Sequence, residues 1–263
     1  MKTLITGISG TLGTALGKAC LARGEDVVGV GRKEIDVQGR CTTFVANAQR
    51  TAEDARVLLD LDVDRIFLCA GQIEEEVGRM GLPLIESTQS LHVVNSLFPS
   101  LLVLEAADRV RGRPLDVIAI GSIADGSPSA FGPVYHASKS ALHHFVTGAG
   151  PIVHAANPHV RIRLYRPGVI KGPLSWAPTV RLNESGRKVR ARRCRKAPEA
   201  FVVAERLLKW ADTDKWVGSD PEPISFRLLK LFWGLAPNAY YRLQVASWRR
   251  VSRYGDAETA RTG

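Results

Sequence analysis

The sequence lacks the features that mark a membrane span, a secretory leader or a disulfide framework. No run reaches the roughly 18 uninterrupted apolar residues that a membrane-spanning helix needs. The opening MKTLITGISG turns to glycine after two apolar residues, which predicts a first strand rather than a signal peptide. The four cysteines show no CxxC pairing and no metal spacing, so we expect free thiols, no metal site and a cytoplasmic location.

Internal repeats and low-complexity linkers are also missing from the 263 residues. Hydrophobic residues make up 45% and charged residues 24% of the chain, which is ordinary globular composition and excludes a disordered chain, a collagen and a coiled coil. One α/β domain routinely fills this length. We therefore expect a single domain over residues 1–263.

Charge is distributed unevenly along the chain. Residues 1–159 have a net charge of −3, whereas residues 160–263 carry 22 Lys and Arg against 9 Asp and Glu, a net charge of +13. A basic half of this kind indicates contact with an anionic substrate, a lipid surface or a nucleic acid. Nucleic acid is not expected here, because the sequence shows no recognised binding module.

Short β-branched runs alternate with helical patterns, which predicts right-handed βαβ units and a parallel sheet. The predicted strands are Leu4–Thr6, Val27–Val30, Thr43–Ala46, Arg65–Cys69, Leu115–Ile120, Arg161–Tyr165 and Lys215–Val217. The predicted helices are Leu12–Arg23, Leu84–Ala107, Tyr135–Gly148 and Pro198–Ala211, with one or two amphipathic helices from Ser225 onward. The fold class is therefore α/β, a doubly wound Rossmann domain with helices on both faces of the sheet.

A glycine-rich loop joins the first strand to the first helix. Its sequence is Thr6-Gly7-Ile8-Ser9-Gly10-Thr11-Leu12-Gly13. A turn this tight needs residues without a Cβ, and its backbone N–H groups can then approach a pyrophosphate at the positive end of the helix. Glycines at a strand end are often only a turn, so the loop by itself leaves both interpretations open.

The residues after the second strand favour one nicotinamide cofactor over the other. Folds that prefer NAD place an Asp or Glu there to hold the ribose 2′-hydroxyl. This sequence has Gly31-Arg32-Lys33 instead, and an Arg can grip a 2′-phosphate with two parallel hydrogen bonds. The pair predicts NADP(H), with NAD(H) and a merely solvated basic turn as the alternatives.

A tyrosine and a lysine four residues apart stand at the start of a predicted helix. Tyr135 and Lys139 share one helix face, and an adjacent cation lowers the pKa of a phenol. Such a pair is common on surface helices. Ser122 strengthens the catalytic interpretation, because it follows a predicted strand at the sheet edge where α/β proteins bind ligands.

At this point the sequence resembles the short-chain dehydrogenase/reductase family over nearly its whole length. The resemblance rests on TGxxGxxG at Thr6–Gly13, Leu68-Cys69-Ala70-Gly71, Asn95, Ser122, Tyr135, Lys139 and Arg166-Pro167-Gly168-Val169-Ile170, in that order. Ser122 and Tyr135 are 13 residues apart, and Lys139 and Pro167 are 28 apart. The resemblance implies reversible hydride transfer between a nicotinamide and a carbonyl or alcohol.

The resemblance also implies a role for each catalytic residue. Tyr135 would be the general acid, Lys139 would lower its pKa, Ser122 would hold the carbonyl oxygen, and Asn95 would anchor a water that links Lys139 to solvent. The implied cofactor-binding residues are Gly7, Ser9, Gly10, Thr11, Leu12, Gly13, Arg32, Lys33, Asn47, Ala70, Gly71, Tyr135, Lys139, Pro167, Gly168, Val169 and Ile170.

Departures from the family pattern leave two rivals open. The glycine loop is spaced as in branches that include epimerases and dehydratases, which oxidise transiently and keep their cofactor, although the chain is short for them. A non-catalytic NADP-binding protein that docks on a membrane is the second rival. Cys69 and Asn47 stand where the family has Asn and often Asp, and Gly172 replaces an expected Thr.

The basic second half offers two further features. Residues 173–197 are predicted to be a mobile excursion at the place where this family builds its substrate lid. Its arginines, among them Arg181, Arg187 and Arg190, either form a solvated flexible loop or clamp a phosphorylated, nucleotide-linked or lipid-linked ketone. Residues 225–254 are predicted to form an amphipathic extension that is faintly similar to the tails of polyprenyl-phosphate keto-sugar reductases. Such a helix can lie peripherally on the inner face of the membrane, but more often it closes the substrate pocket or forms a subunit contact. Family resemblance suggests a homodimer or homotetramer through helices 84–107 and 135–148.

Four histidines near the predicted catalytic helix are interpreted as surface or pocket-wall residues. Glu74-Glu75-Glu76 is interpreted as part of a solvated loop.

Overall fold

The structure is a computed structural model, and it describes residues 1–33, 43–46, 50–74, 82–110, 112–184 and 196–259. Its seven strands are β1 (Lys2–Thr6), β2 (Asp26–Gly31), β3 (Thr43–Ala46), β4 (Arg65–Leu68), β5 (Leu115–Ile120), β6 (Val160–Arg166) and β7 (Val217–Ser219). They form one parallel sheet in the order β3-β2-β1-β4-β5-β6-β7. The prediction of a single doubly wound Rossmann domain is confirmed.

Helices cover both faces of the sheet. The helices are α1 (Thr11–Ala22), α2 (Ala52–Leu59), α3 (Ile85–His92), α4 (Phe98–Arg109), α5 (Pro133–Ala156), α6 (Pro173–Glu184), α7 (Ala200–Ala211), α8 (Ile224–Leu235) and α9 (Pro237–Thr259). Apolar side chains from α2, α4 and α5 form one core layer, and those from α1 and α7 form the other. Strand residues therefore point into a core on either side, which is why β4 and β5 are buried along their whole length.

Helices α3 and α4 are joined by a π-helical turn, Val93–Leu97, so that the chain is helical from Ile85 to Arg109. Within the described part of the chain this stretch alone has the length and apolar composition of a membrane span, which is weak evidence because core helices pass the same test. It packs against α2 and α5. We assign it to the core.

The second half differs most from the sequence prediction. The mobile excursion expected from residue 173 is wrong for its first part, because Pro173–Glu184 forms helix α6 in spite of Pro178. The last strand lies at Val217–Ser219 rather than Lys215–Val217, and α5, which carries Tyr135, begins two residues before it and extends to Ala156. The amphipathic tail forms the two helices α8 and α9.

Candidate active site

The glycine loop between β1 and α1 is shaped by close backbone contacts. Gly7 adopts a φ of +67°, and the Gly10 N–H donates to the Gly7 carbonyl at 2.8 Å. A Cβ on Gly7 would lie 2.7 Å from the Cα of Ala70, and one on Gly13 would lie 2.2 Å from the Gly7 carbonyl oxygen. These positions therefore need glycine. The cradle at the start of α1 has a shape that suits the phosphates of a dinucleotide.

A cleft of about 600 Å³ runs from this loop to the carboxyl ends of β4, β5 and β6. Of the predicted cofactor residues its walls contain Gly7, Ser9, Gly10, Thr11, Leu12, Gly13, Arg32, Ala70, Gly71, Tyr135, Lys139, Pro167, Gly168, Val169 and Ile170. Lys33 is exposed and is not among the lining residues, and Asn47 lies outside the described part of the chain. Gly172, in place of the expected Thr, lies against Thr11, because a Cβ there would be 2.9 Å from the Thr11 hydroxyl.

Three of the four predicted catalytic side chains line the same cleft. Ser122 caps the 3₁₀ turn Ile123–Gly126 after β5, and Tyr135 and Lys139 lie on the first turns of α5. The Lys139 ammonium donates to the Ile120 carbonyl at 2.9 Å. The Tyr135 phenol is hydrogen-bonded to Ser122, and Lys139 lines the same cleft.

Burial shifts the pKa values of both Tyr135 and Lys139. Burial raises the pKa of Tyr135 above its usual value; a hydrogen bond with Ser122 acts in the opposite direction, and the negative charges of Glu74 and Asp125 add to the rise. Burial also lowers the pKa of Lys139 to about 8. The sequence predicted a lowered tyrosine pKa from Lys139, whereas in this geometry burial of the phenol dominates.

Asn95 lies behind the cleft, in the π-helical turn. Its side-chain amide is fully buried, accepts from the Gln72 N–H at 2.8 Å and donates to the Gln72 carbonyl at 2.9 Å and to the Ser138 hydroxyl at 3.0 Å. A Cβ on Gly71 would lie within 3.9 Å of both Asn95 Oδ1 and Lys139 Nζ. The residue therefore joins the segment after β4 to the catalytic helix, close to the lysine.

Glu74 is a buried carboxylate beside the site that the sequence does not predict. The prediction of a solvated loop is wrong for Glu74, because its side chain is fully buried, whereas Glu75 and Glu76 lie outside the described residues. Its Oε1 accepts from the N–H groups of Val134 at 2.7 Å and Tyr135 at 2.9 Å, at the start of α5. A carboxylate at a helix N-terminus satisfies free N–H donors and the positive end of the helix dipole. Glu74 therefore fixes the beginning of the catalytic helix.

Arg181, predicted to clamp the substrate, has other partners. It lies on α6 with 7% of its side chain exposed, 3.8 Å from Glu74 Oε2. Its guanidinium donates to the Glu74 carbonyl at 2.6 Å and to the Phe131 carbonyl at 2.9 Å. It is not among the residues that line the cleft. Arg187 and Arg190 lie outside the described residues.

Two further buried carboxylates hold the loops that carry Ser122 and Pro167. Asp125 accepts two hydrogen bonds from Arg166, at 2.6 and 2.5 Å, and lies 2.9 Å from His143 Nδ1. Asp220 accepts from the Gly168 N–H at 3.1 Å and from the Tyr165 hydroxyl at 2.8 Å. Burial alone would raise the pKa of Asp125, but the hydrogen bonds from His143 and Arg166 bring it below its usual value. No local sequence signal identifies these partners.

Comparison with known proteins decides the family. The family model described as short chain dehydrogenase matches residues 2–179. The chain belongs to the short-chain dehydrogenase/reductase family. It is accordingly an NAD(P)-dependent oxidoreductase, as the motifs around Tyr135 predicted. A search of curated proteins finds no match.

Solved structures of short-chain dehydrogenases share the fold at low identity. One from Streptomyces avermitilis is 18% identical, with 96% of this chain and 97% of that one covered and a TM-score of 0.65. One from Burkholderia cenocepacia, in complex with NADP, is 17% identical over 92% and 96% of the two chains, with a TM-score of 0.68. A 3-oxoacyl-[acyl-carrier protein] reductase from Brucella melitensis, in complex with NAD, is 20% identical over 83% and 94%, with a TM-score of 0.64. At these identities the likeness concerns the fold.

Proposed function

We propose that this short-chain dehydrogenase is an NADPH-dependent reductase of a ketone that carries an anionic group. The observation that carries the proposal is the convergence of Ser122, Tyr135 and Lys139 on the cleft that begins at the glycine loop. The cofactor supplies the hydride chemistry, and the protein supplies orientation and the proton.

Tyr135 is suited to act as the proton donor. Its raised pKa keeps the phenol protonated at neutral pH, so that it can give its proton to the ketone oxygen. Ser122 is hydrogen-bonded to the phenol and holds the same oxygen. Lys139, with a pKa of about 8, is largely cationic at neutral pH and favours the phenolate that remains after transfer.

The preference for NADPH is supported by Arg32. It follows β2, lines the cleft, and has no acidic residue beside it at positions 31–33. A guanidinium can hold a 2′-phosphate by charge-assisted hydrogen bonds worth about 1.5–3 kcal/mol. We expect Arg32→Ala to weaken NADPH binding by about 10- to 150-fold and NADH binding far less, as measured by fluorescence titration.

Arg23→Ala provides the matched control, because Arg23 pairs with Asp212 on the surface at 2.9 Å and is not part of the cleft. It should leave both affinities unchanged. Equal weakening of NADPH and NADH in Arg32→Ala would contradict the assignment of the 2′-phosphate to this residue.

The charge of the second half of the chain supports an anionic substrate. Its net charge of +13 favours an anionic group, such as a phosphate, a nucleotide or a phosphorylated lipid. The lining of the cleft also includes apolar side chains from Phe131, Leu174, Pro178 and Phe226. We therefore favour a sugar-like or biosynthetic ketone that presents an apolar part to the cleft and an anionic part to its basic surroundings.

Turnover assays test the reaction and the substrate class together. NADPH oxidation would be followed with paired ketones that differ only in a phosphate or nucleotide diphosphate. We expect stoichiometric NADPH consumption with the anionic members and a loss of about 100- to 10,000-fold in Tyr135→Phe. Product formation without net NADPH consumption would indicate an epimerase or dehydratase, and equal turnover of the neutral partners would remove the anionic preference.

The family commonly forms oligomers, and we propose a cytoplasmic homodimer or homotetramer that uses α3, α4 and α5. Leu97 and Leu104 are 49% and 52% exposed on the helical stretch that packs beside α5. Light scattering of Leu104→Glu tests this contact, since a buried charge at the interface should dissociate the assembly. An unchanged mass would place the contact elsewhere.

A further inference from the structure

Helix α8 has an apolar face that no other described part of the chain covers. Ile224, Leu228, Leu231 and Leu235 follow one another at helical spacing, with exposed fractions of 74%, 59%, 57% and 77%. Residues spaced in this way lie along one side of a helix. Not one residue of α8 is fully buried. Exposed apolar patches of this kind mark interaction surfaces.

The first half of α9 is attached to the domain by three side chains. The Tyr240 hydroxyl donates to the Pro128 carbonyl at 2.7 Å, the Gln244 side chain accepts from the Ala130 N–H at 2.9 Å, and Trp248 lies against Phe131 with ring centroids 5.8 Å apart. These contacts hold α9 on the segment that leads into the catalytic helix. Phe232 and Trp233 of α8 contact the Tyr240 ring, with centroids 5.8 and 5.5 Å apart, so α8 is held with α9. Phe226, which lines the cleft, lies on the side of α8 opposite the apolar face.

Charge in this region has one sign. No Asp or Glu occurs between residues 223 and 255, whereas six cations do: Arg227, Lys230, Arg242, Arg249, Arg250 and Arg253. Arg227, Arg242, Arg249 and Arg250 are exposed, and none of them has an ion pair among the described residues. Lys230 is turned inward, to Glu222 and Asp125. Tyr241, 69% exposed, adds an aromatic ring with a polar end.

We propose that α8 and the first half of α9 form a docking surface for an anionic lipid bilayer. Protruding leucines can enter the boundary between headgroups and acyl chains, and each nearby Arg contributes about 1 kcal/mol of attraction to anionic headgroups. A second copy of this chain fits less well, because a two-fold contact through α8 and α9 would bring together two segments that carry cations and no Asp or Glu between residues 223 and 255. The inference does not depend on the proposed reaction.

Vesicle flotation of the full chain tests the proposal. The probes are phosphatidylcholine vesicles with and without phosphatidylglycerol, at low and high salt. We expect binding to the anionic vesicles, a loss of binding as salt is added, and little binding to pure phosphatidylcholine. Removal of one exposed cation, as in Arg242→Ala, should weaken binding about fivefold. No binding to the anionic vesicles would overturn the proposal.

Matched variants show whether vesicle binding depends on the apolar face of α8 or on any exposed apolar residue. Leu228→Glu/Leu231→Glu should abolish flotation, whereas Val57→Glu, which changes an exposed apolar residue on α2, should leave it intact. Circular dichroism and NADPH binding report whether each variant is folded. Unchanged flotation of the folded double variant would refute the assignment. If flotation is unchanged and light scattering shows that the double variant has a lower mass than the wild type, the face binds a second copy of the chain instead.

Discussion

The buried pair of Glu74 and Arg181 predicts coupling between α6 and the catalytic helix. Glu74 is fully buried and caps the start of α5, and Arg181 reaches it from α6. Glu74→Gln keeps the shape and one acceptor oxygen but removes the negative charge. Arg181→Met keeps most of the side-chain volume but removes the guanidinium. Each single change leaves the other member of the pair buried without its opposite charge.

The expected magnitudes follow from these contacts. Removing one partner of a buried ion pair usually costs about 3–5 kcal/mol of unfolding free energy. The separation of 3.8 Å and the lack of a hydrogen-bond partner for Glu74 Oε2 place Glu74→Gln below that range, at about 2–3 kcal/mol. Arg181→Met also leaves two backbone carbonyls without their donor, so we expect about 3–5 kcal/mol.

Urea unfolding of the two single variants and the double variant measures the coupling. The double variant has no unpaired charge, so its loss should be smaller than the sum of the single losses by about 1–3 kcal/mol. Additive losses, within about 0.5 kcal/mol, would refute the interpretation that the two side chains act as a pair.

A second readout distinguishes positioning from stability alone. The Glu74 charge raises the pKa of Tyr135, so Glu74→Gln should lower it. Reduction needs the protonated phenol, and the alkaline limb of the pH–rate profile should therefore move to lower pH. A variant that is less stable but keeps the wild-type profile would show that Glu74 does not influence the proton donor.

Two further predictions concern the cofactor cradle and the buried carboxylate of the Ser122 loop. Gly13→Ala should abolish NADPH binding in fluorescence titration, because its Cβ would lie 2.2 Å from the Gly7 carbonyl oxygen, and normal binding would contradict the loop geometry. The control Gly148→Ala, in open space on α5, should bind NADPH normally and raise the free energy of unfolding by about 0.5–1 kcal/mol. Because the pKa of Asp125 is lower in the folded protein than its unfolded value of 3.8, the ionised carboxylate stabilises the fold above that pH, and this stabilisation is lost as the pH falls through the folded pKa. Asp125→Asn should therefore be less stable than the wild type at neutral pH and approach its stability in acid. A constant difference across that range in urea unfolding would show that the charge of Asp125 does not matter.

The parallel sheet and the motifs at the ends of its strands could be predicted from the sequence. The glycine loop, Ser122 and the pair of Tyr135 and Lys139 each follow a strand or begin a helix, and the types of residue at these points are limited by backbone geometry. Helix α6 was missed because Pro178 and a dense arginine cluster suggested an irregular segment. Tertiary contacts outweigh that local preference, since Arg181 fastens α6 to Glu74 and Phe131.

The residues that hold the catalytic elements in place were missed for a shared physical reason. Glu74 meets its donor 60 residues further along the chain, Asp125 meets Arg166 41 residues away, and Asp220 meets Gly168 52 residues away. A local pattern identifies an acidic residue but not a partner at that separation. Buried carboxylates are costly unless they are paired, so each of them commits the fold to one arrangement of the loops. It follows that a chain with the same catalytic motif but without these three carboxylates would keep the chemistry of the side chains and lose their relative positions.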